Sequence, residues 1–455
     1  MNWITNLKKS FLLLFLLLIF ACQEKKAKPP ATTQEVESKI LPKLAVGQVS
    51  SRATANGYYS YYIPKIYSGK EQFPVIIFLD PHADGTFPLQ KYKSLAEKFG
   101  FLMIGSMESK NGITFDQSNE ICAHLLAEAH SALPGNKSNI CLSGFSGGAK
   151  AALIAGNLVK GFNGIIYSGA AIPPNNIDVN VPIIGFAGKK DMNFTEVKNF
   201  NFSLNGRGTS HILVEWEGKH EWPDSVTFSH AFYWLSLNEM KNNAATKNKE
   251  LISDFETFIK KSISESDVLV KVFLLKEAIL LLSSLSPVKE FEKNLGKIEN
   301  SKAYQEAKRN YETTLFYEDK QKQEFAGSFD TRDLPWWTKQ INDLKSTKTN
   351  LSNARILGYI SLAAWTYSSK AVEANNVPFA KKALEIYKMA DPENSEQPFL
   401  KACLYSKNNQ PDSAIYFLDE AVKLGLKDKG KIQNEEKLIN IRMRREFSEL
   451  VEKIN

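Results

Sequence analysis

Three residues of this chain have the types and the settings for nucleophilic chemistry: Ser146, Asp191 and His220. Ser146 stands at the centre of Gly144-Phe145-Ser146-Gly147-Gly148, Asp191 closes Gly188-Lys189-Lys190-Asp191, and His220 lies within Glu217-Gly218-Lys219-His220-Glu221-Trp222-Pro223. A serine hydroxyl is a poor nucleophile at neutral pH. It needs a base within hydrogen-bond reach and a carboxylate to orient that base, and the two downstream segments offer one of each. A serine between glycines is a pattern that chance also supplies, so its surroundings decide its meaning.

Those surroundings read as strand, sharp turn and helix. Residues 139–143 form a short apolar strand pattern, and 149–155 a helix start built from small residues. Glycines flank the serine where a Cβ would collide with the neighbouring strand and helix. Asp191 follows a strand pattern at 182–187, and His220 follows one ending near Trp216. From about Val49 to Asn242 apolar runs alternate with helical stretches, which predicts a mostly parallel sheet with helices on both faces. The other expected strands are 58–63, 75–79, 101–106 and 164–168, and the expected helices 89–99, 116–133 and 228–240, with Pro134-Gly135 ending the second.

The chain order Ser146, Asp191, His220 is that of the α/β-hydrolase fold, in which all three residues sit at the carboxyl edge of one sheet. Gly218-Lys219-His220-Glu221-Trp222-Pro223 resembles the G-x-H-x-W-P segment of polyhydroxybutyrate depolymerase and feruloyl esterase relatives, a branch that is also similar to dienelactone hydrolases. The resemblance covers about 63–242. It implies that Ser146 attacks an ester carbonyl, that His220 takes and later returns the proton, and that Asp191 holds the histidine. An oxyanion hole is also required. One donor is the backbone N–H of Gly147, directly after the nucleophile. The second comes from the loop after strand 75–79, where relatives often carry His-Gly. This chain has Asp80-Pro81-His82-Ala83-Asp84-Gly85 there, and counting along the loop puts the His82 backbone N–H at the donor position, with proline stiffening the approach. Asp84 is a substrate-binding or cation-pairing candidate. His124 and His130 read as structural, His211 as a strand start without a catalytic case, and His230 as a packing or capping residue. No His, Cys and carboxylate set has metal-ligand spacing and no glycine-rich phosphate loop occurs, so neither metal nor cofactor is expected.

The remaining residues place this chemistry in a compartment. Lys8 and Lys9 precede an unbroken apolar run of 11 residues, Phe11 to Ala21. About 20 would be needed to span a bilayer, so the layout is that of a secretory signal. Ile19-Phe20-Ala21-Cys22 resembles the lipobox of bacterial lipoproteins, although Phe20 is bulky for its place. The resemblance implies cleavage after residue 21, lipidation of Cys22, and anchoring in the bacterial cell envelope. An uncleaved signal anchor and a simple secretory signal are the alternatives. Residues 22–45 are polar, proline-bearing and too poor in apolar groups to form a core, which makes them a tether. The formal charge is +7; removing residues 1–21 takes away two lysines and no acids, leaving 55 basic against 50 acidic residues. That surplus does not suggest nucleic acid. Cys122, Cys141 and Cys403 are odd in number and read as buried thiols.

At 455 residues the chain suits two domains. The polar stretch 241–249 separates an α/β-hydrolase domain at 46–242 from a helical region at 250–455, with long helical patterns at 268–282 and 355–374. Ala380, Leu384 and Tyr387 recur 34 residues later as Ala414, Leu418 and Ala421, and Ser368 and Ala402 share the register. This resembles the tetratricopeptide repeat, clearest over 361–428, with Pro392 ending a second helix. Residues 251–349 are helical without a definable register. Pro335-Trp336-Trp337 is either a ligand platform or an aromatic helix start packed between helices. Together these features point to an exported, lipid-anchored serine esterase acting on a small-molecule or carbohydrate-linked ester, with a protein partner on the repeats. A peptidase of the same fold and a non-catalytic binding scaffold are the alternatives.

Overall fold

A computed structural model describes residues 44–173, 181–346 and 350–454. The expected signal (1–21), Cys22 and the tether up to residue 43 lie outside the described residues. Among the described residues eight strands form one sheet: β1 (Ser50–Thr54), β2 (Gly57–Tyr62), β3 (Phe73–Leu79), β4 (Leu102–Ser106), β5 (Gly135–Phe145), β6 (Gly164–Ser168), β7 (Ile183–Gly188) and β8 (His211–Trp216). Their order is β1-β2-β4-β3-β5-β6-β7-β8, with β2 antiparallel to both neighbours and every other pairing parallel. Connecting helices are α1 (Thr86–Phe99), α2 (Phe115–Ser131), α3 (Gly147–Leu158), α4 (Phe194–Ser203) and α5 (Ser225–Asn242). The fold class is the expected one, an α/β-hydrolase sheet followed by a helical region.

The central strands are continuous apolar runs because both their faces are covered. Ile76, Phe78, Cys141, Ile166 and Ile184 share a core with Leu89 and Tyr92 of α1 and with Phe228 and Trp234 of α5. Alternate residues Val75, Ile77, Leu142 and Ile165 turn to the other face and are equally buried. Each such side chain contributes roughly 1.5–3 kcal/mol of burial.

Beyond the sheet the chain is helical: α6 (Lys249–Glu265), α7 (Val268–Leu282), α8 (Lys289–Glu299), α9 (Lys302–Ser328), α10 (Leu334–Ser346), α11 (Leu351–Glu373), α12 (Val377–Ala390), α13 (Glu396–Lys407), α14 (Pro411–Lys423), α15 (Lys429–Asn434) and α16 (Arg445–Glu452). Helix α7, Val-Leu-Val-Lys-Val-Phe-Leu-Leu-Lys-Glu-Ala-Ile-Leu-Leu-Leu, is apolar nearly all round, the pattern of a helix enclosed on most sides. Its Leu274, Leu275, Leu281 and Leu282 enter the same core as Phe228, Phe232 and Trp234 of α5, together with Ile252 and Phe255 of α6. A buried pair ties α5 to α7, with His230 Nδ1 at 2.7 and 2.9 Å from the Glu277 carboxylate oxygens.

A second core lies further along. Trp337 is fully buried against Phe325 and Phe329, with ring centroids 5.5 and 4.8 Å apart, so this indole packs between helices. All eight residues of the 34-residue register are buried. The turns repeat as well: Asn375 and Asn409 adopt φ of 53° and 52°, and the N–H groups of Asn376 and Gln410 return to the carbonyls of Ala371 and Tyr405. Asparagine tolerates this left-handed conformation better than most residues.

Candidate active site

The turn after β5 is built by close approach. A Cβ on Gly144 would collide with the Gly148 carbonyl, and one on Gly148 with the Leu79 carbonyl, so α3 packs against β5 and β3 only if both stay glycine. Between them Ser146 is held at φ 53°, ψ −119°, a conformation that costs a non-glycine residue of order 1–3 kcal/mol. Its N–H donates to the Ser168 carbonyl of β6 (2.9 Å), and its own carbonyl accepts from Ala149 (3.0 Å) and Lys150 (3.3 Å).

Parallel pairing of β7 with β8 brings the next two residues together. Gly188 pairs with Trp216 at the strand ends, and the ladder continues into the loops, with Lys189 N–H on the Trp216 carbonyl (2.7 Å) and Lys190 N–H on the Gly218 carbonyl (2.9 Å). Asp191 is buried and His220 partly open to solvent. His220 Nδ1 lies 3.0 Å from both Asp191 oxygens, and Nε2 lies 2.9 Å from Ser146 Oγ. Asp191 Oδ1 also accepts the Asn193 N–H (2.8 Å), which fixes the carboxylate plane. The Phe145 ring, 4.8 Å from the imidazole, supports it from the elbow side. The three residues expected to act together therefore form one hydrogen-bonded chain.

The histidine loop is pinned by the two residues that complete its motif. Trp222 Nε1–H donates to Asp80 Oδ2 (2.8 Å), and Tyr92 O–H donates to the Pro223 carbonyl (2.7 Å). Asp80, 4 % exposed, thus joins the loop after β3 to the loop carrying His220. Sequence reasoning missed Asp80 and Tyr92; a carboxylate ending an apolar strand was the available signal.

The second expected oxyanion donor differs in its use. The His82 N–H donates to Asp80 Oδ1 (2.9 Å), an Asx-type turn that counting along the loop does not anticipate. It is already satisfied in this conformation, and the His82 side chain is exposed. Gly147, at the first position of α3, has no intrahelical acceptor for its N–H. Asn111 lies over Gly147, where a Cβ would strike its side chain, and Asn111 N–H holds the Pro81 carbonyl (2.8 Å). A cavity of about 150 Å³ opens beside Gly147, lined by Ser109, Asn111, Ile113, Phe115 and Lys150 among others.

The other candidates fall away from this centre. Asp84 Oδ1 accepts the Phe87 N–H at the start of α1 (3.2 Å), His124 meets Thr54 Oγ1 (3.0 Å), and His211 meets Asn205 Oδ1 (3.2 Å). The thiols of Cys122, Cys141 and Cys403 are free and buried; burial pushes the first two up to about 12 and the third higher still, so none is a nucleophile at neutral pH. Among the described residues no three His, Cys, Asp or Glu side chains cluster closely enough to hold a metal ion.

Neither a family model nor a curated protein sequence matches the chain. Among solved structures it is similar to a hyperthermophilic esterase from the archaeon Pyrobaculum calidifontis (13% identity, TM-score 0.34, 41% of this chain and 80% of that one). It is also similar to fluorophosphonate-binding serine hydrolase F of Staphylococcus aureus (11%, 0.35, 42% and 99%) and to esterase B from Lactobacillus rhamnosis (14%, 0.34, 44% and 90%). These likenesses concern the fold alone; what the site does must be argued from its own geometry.

Proposed function

We propose that this protein is a serine hydrolase that cleaves carboxylic esters through an acyl-enzyme. The observation that carries the reading is the unbroken chain Ser146 Oγ, His220, Asp191, each from a different loop at the carboxyl edge of the sheet. His220 accepts the Ser146 proton as Oγ attacks the carbonyl and returns it to the leaving alcohol; a water then repeats the sequence to free the acid. Asp191 keeps the Nδ1–H tautomer and stabilises the imidazolium. Gly147 N–H faces the oxyanion, and His82 N–H joins it if Asp80 Oδ1 releases or shares that bond. The cavity beside Gly147 fits a small acyl or leaving group. The satisfied His82 donor favours one other reading, a hydrolase-like domain that binds without turnover.

A fluorophosphonate separates them. One equivalent should attach to the folded protein, at the peptide containing Ser146, and aryl acetates should be hydrolysed while the matching anilides are not. A folded protein that takes up no probe would leave the binding reading, and cleavage of the anilides would make it a peptidase.

Anchoring in the bacterial envelope through Cys22, and partner binding by tetratricopeptide-like repeats between α11 and α14, belong to the same proposal. The lipobox-like residues support the first, and the turns recurring 34 residues apart support the second. Cells fed labelled palmitate should label the wild type and not Cys22→Ala; equal incorporation removes the anchor from the reading.

A further inference from the structure

The helical region grips the loop that carries Asp191. Glu318 and Lys322 of α9 and Arg355 of α11 are only 1 %, 5 % and 5 % exposed. Arg355 Nε lies 2.9 and 3.0 Å from the Glu318 oxygens and Nη2 donates to one of them, while Ser352 Oγ–H donates to the same carboxylate at 3.0 Å. Lys322 Nζ donates to Glu318 Oε1 (2.7 Å). Burial alone would raise the Glu318 carboxyl, but its bonds to Arg355 and Lys322 outweigh that and hold it below its ordinary value. Two cations against one carboxylate leave one positive charge unmatched by any acid of the cluster.

Where the remaining donors go is the informative part. Arg355 Nη1 donates to the Lys189 carbonyl (2.7 Å), two residues before Asp191. Lys322 Nζ donates to the Met192 carbonyl (2.8 Å), one residue after it, and to Thr195 Oγ1 (3.1 Å). All three ammonium protons of Lys322 thus have acceptors. The guanidinium also stacks 4.7 Å from the Phe194 ring centre, and α11 approaches so closely at Gly358 that a Cβ there would stand 3.1 Å from Met192 Cβ. Buried ion clusters are poor sources of net stability, because desolvation consumes most of the attraction. What this one does supply is two fixed, charge-assisted bonds, one on each side of the acid.

We propose that Lys322 and Arg355 are positioning residues for hydrolysis: from the helical region they clamp the backbone on both sides of Asp191, and through it set the orientation of His220. The inference rests on the hydrolase reading of Ser146. It makes the helices part of the active-site support, in addition to any partner binding.

Lys322→Met and Arg355→Met test it, since either leaves one cation paired with Glu318 and the cluster neutral. Full-length variants should melt cooperatively and bind an aryl acetate with unchanged KM, while kcat falls about tenfold to a hundredfold, the scale of a small misplacement of a reacting group. Made in an Asp191→Asn background, the same substitutions should change the residual kcat by less than about twofold, because the clamp then has no acid to position. Thr195→Val, which removes one Lys322 contact and no charge, is the milder variant if the others fail to fold, and a smaller kcat loss of the same kind is expected. Folded variants with wild-type kcat, or equal losses with and without Asp191, would overturn the inference. An inactive wild type that takes up no fluorophosphonate defeats the hydrolase reading, and this one with it.

Discussion

Ser146→Ala is expected to lower aryl acetate turnover by about 10⁶-fold and to abolish fluorophosphonate labelling. Without Oγ there is no acyl-enzyme, and water must attack with only the remaining oxyanion donors to help. The protein should otherwise be intact: alanine and serine both carry a Cβ, so the backbone strain at φ 53° is the same and the melting temperature should move little. His220 Nε2 lies 2.9 Å from Oγ and has no role in the proposed chemistry without it, so His220→Ala should cost about as much, and the double variant no more than either single one. Steady-state rates for the three variants decide the matter. Wild-type turnover in Ser146→Ala would locate hydrolysis elsewhere on the chain, and additive losses would mean that the two side chains do not work as a unit.

Asp191→Asn is expected to cost about 10⁴ in kcat while the fold persists. The reason is a tautomer. Asp191 Oδ1 accepts the Asn193 N–H at 2.8 Å, so an amide introduced here keeps its oxygen on that side and turns its NH₂ toward His220 Nδ1. Nδ1 must then accept, the proton moves to Nε2, and Nε2 can no longer take the Ser146 proton. The far-downfield resonance of the Nδ1–H bond should disappear together with activity. A loss below tenfold would mean that the carboxylate does not govern the histidine.

Much of this site could be read from the residues because its parts are local. The glycines at 144 and 148 mark an elbow that sterics impose, and Asp191 and His220 follow apolar runs that become β7 and β8. Elements marked by unbroken apolar runs matched closely: 268–282 is α7 to the residue, and 164–168 is β6. Strand β1, Ser-Ser-Arg-Ala-Thr, was not expected, because an edge strand paired only with β2 needs no apolar face. Helix α9 gave no register, being 27 residues long with few apolar positions and a face built from charges. Glu318, Lys322 and Arg355 look like solvated surface in a sequence, since nothing in their spacing says that partners 37 residues apart meet in a buried cluster. The Asp80 turn that engages His82 was hidden for a different reason: it depends on which way one side chain bends back on its own backbone.

The apolar helix α7 has a consequence for how the protein is made. One face of the sheet, with Trp234 and Phe232 of α5 above it, belongs to a core completed by side chains as far on as Phe291 of α8. During synthesis that face stays unfinished until about fifty residues beyond the end of α5 have emerged, and an exposed apolar layer invites association with other chains. A chain cut at Asn242 would carry every residue of Ser146, Asp191 and His220 and still lack its cover. Order of emergence, as well as order in space, therefore governs when the sheet that carries Ser146 is fully covered.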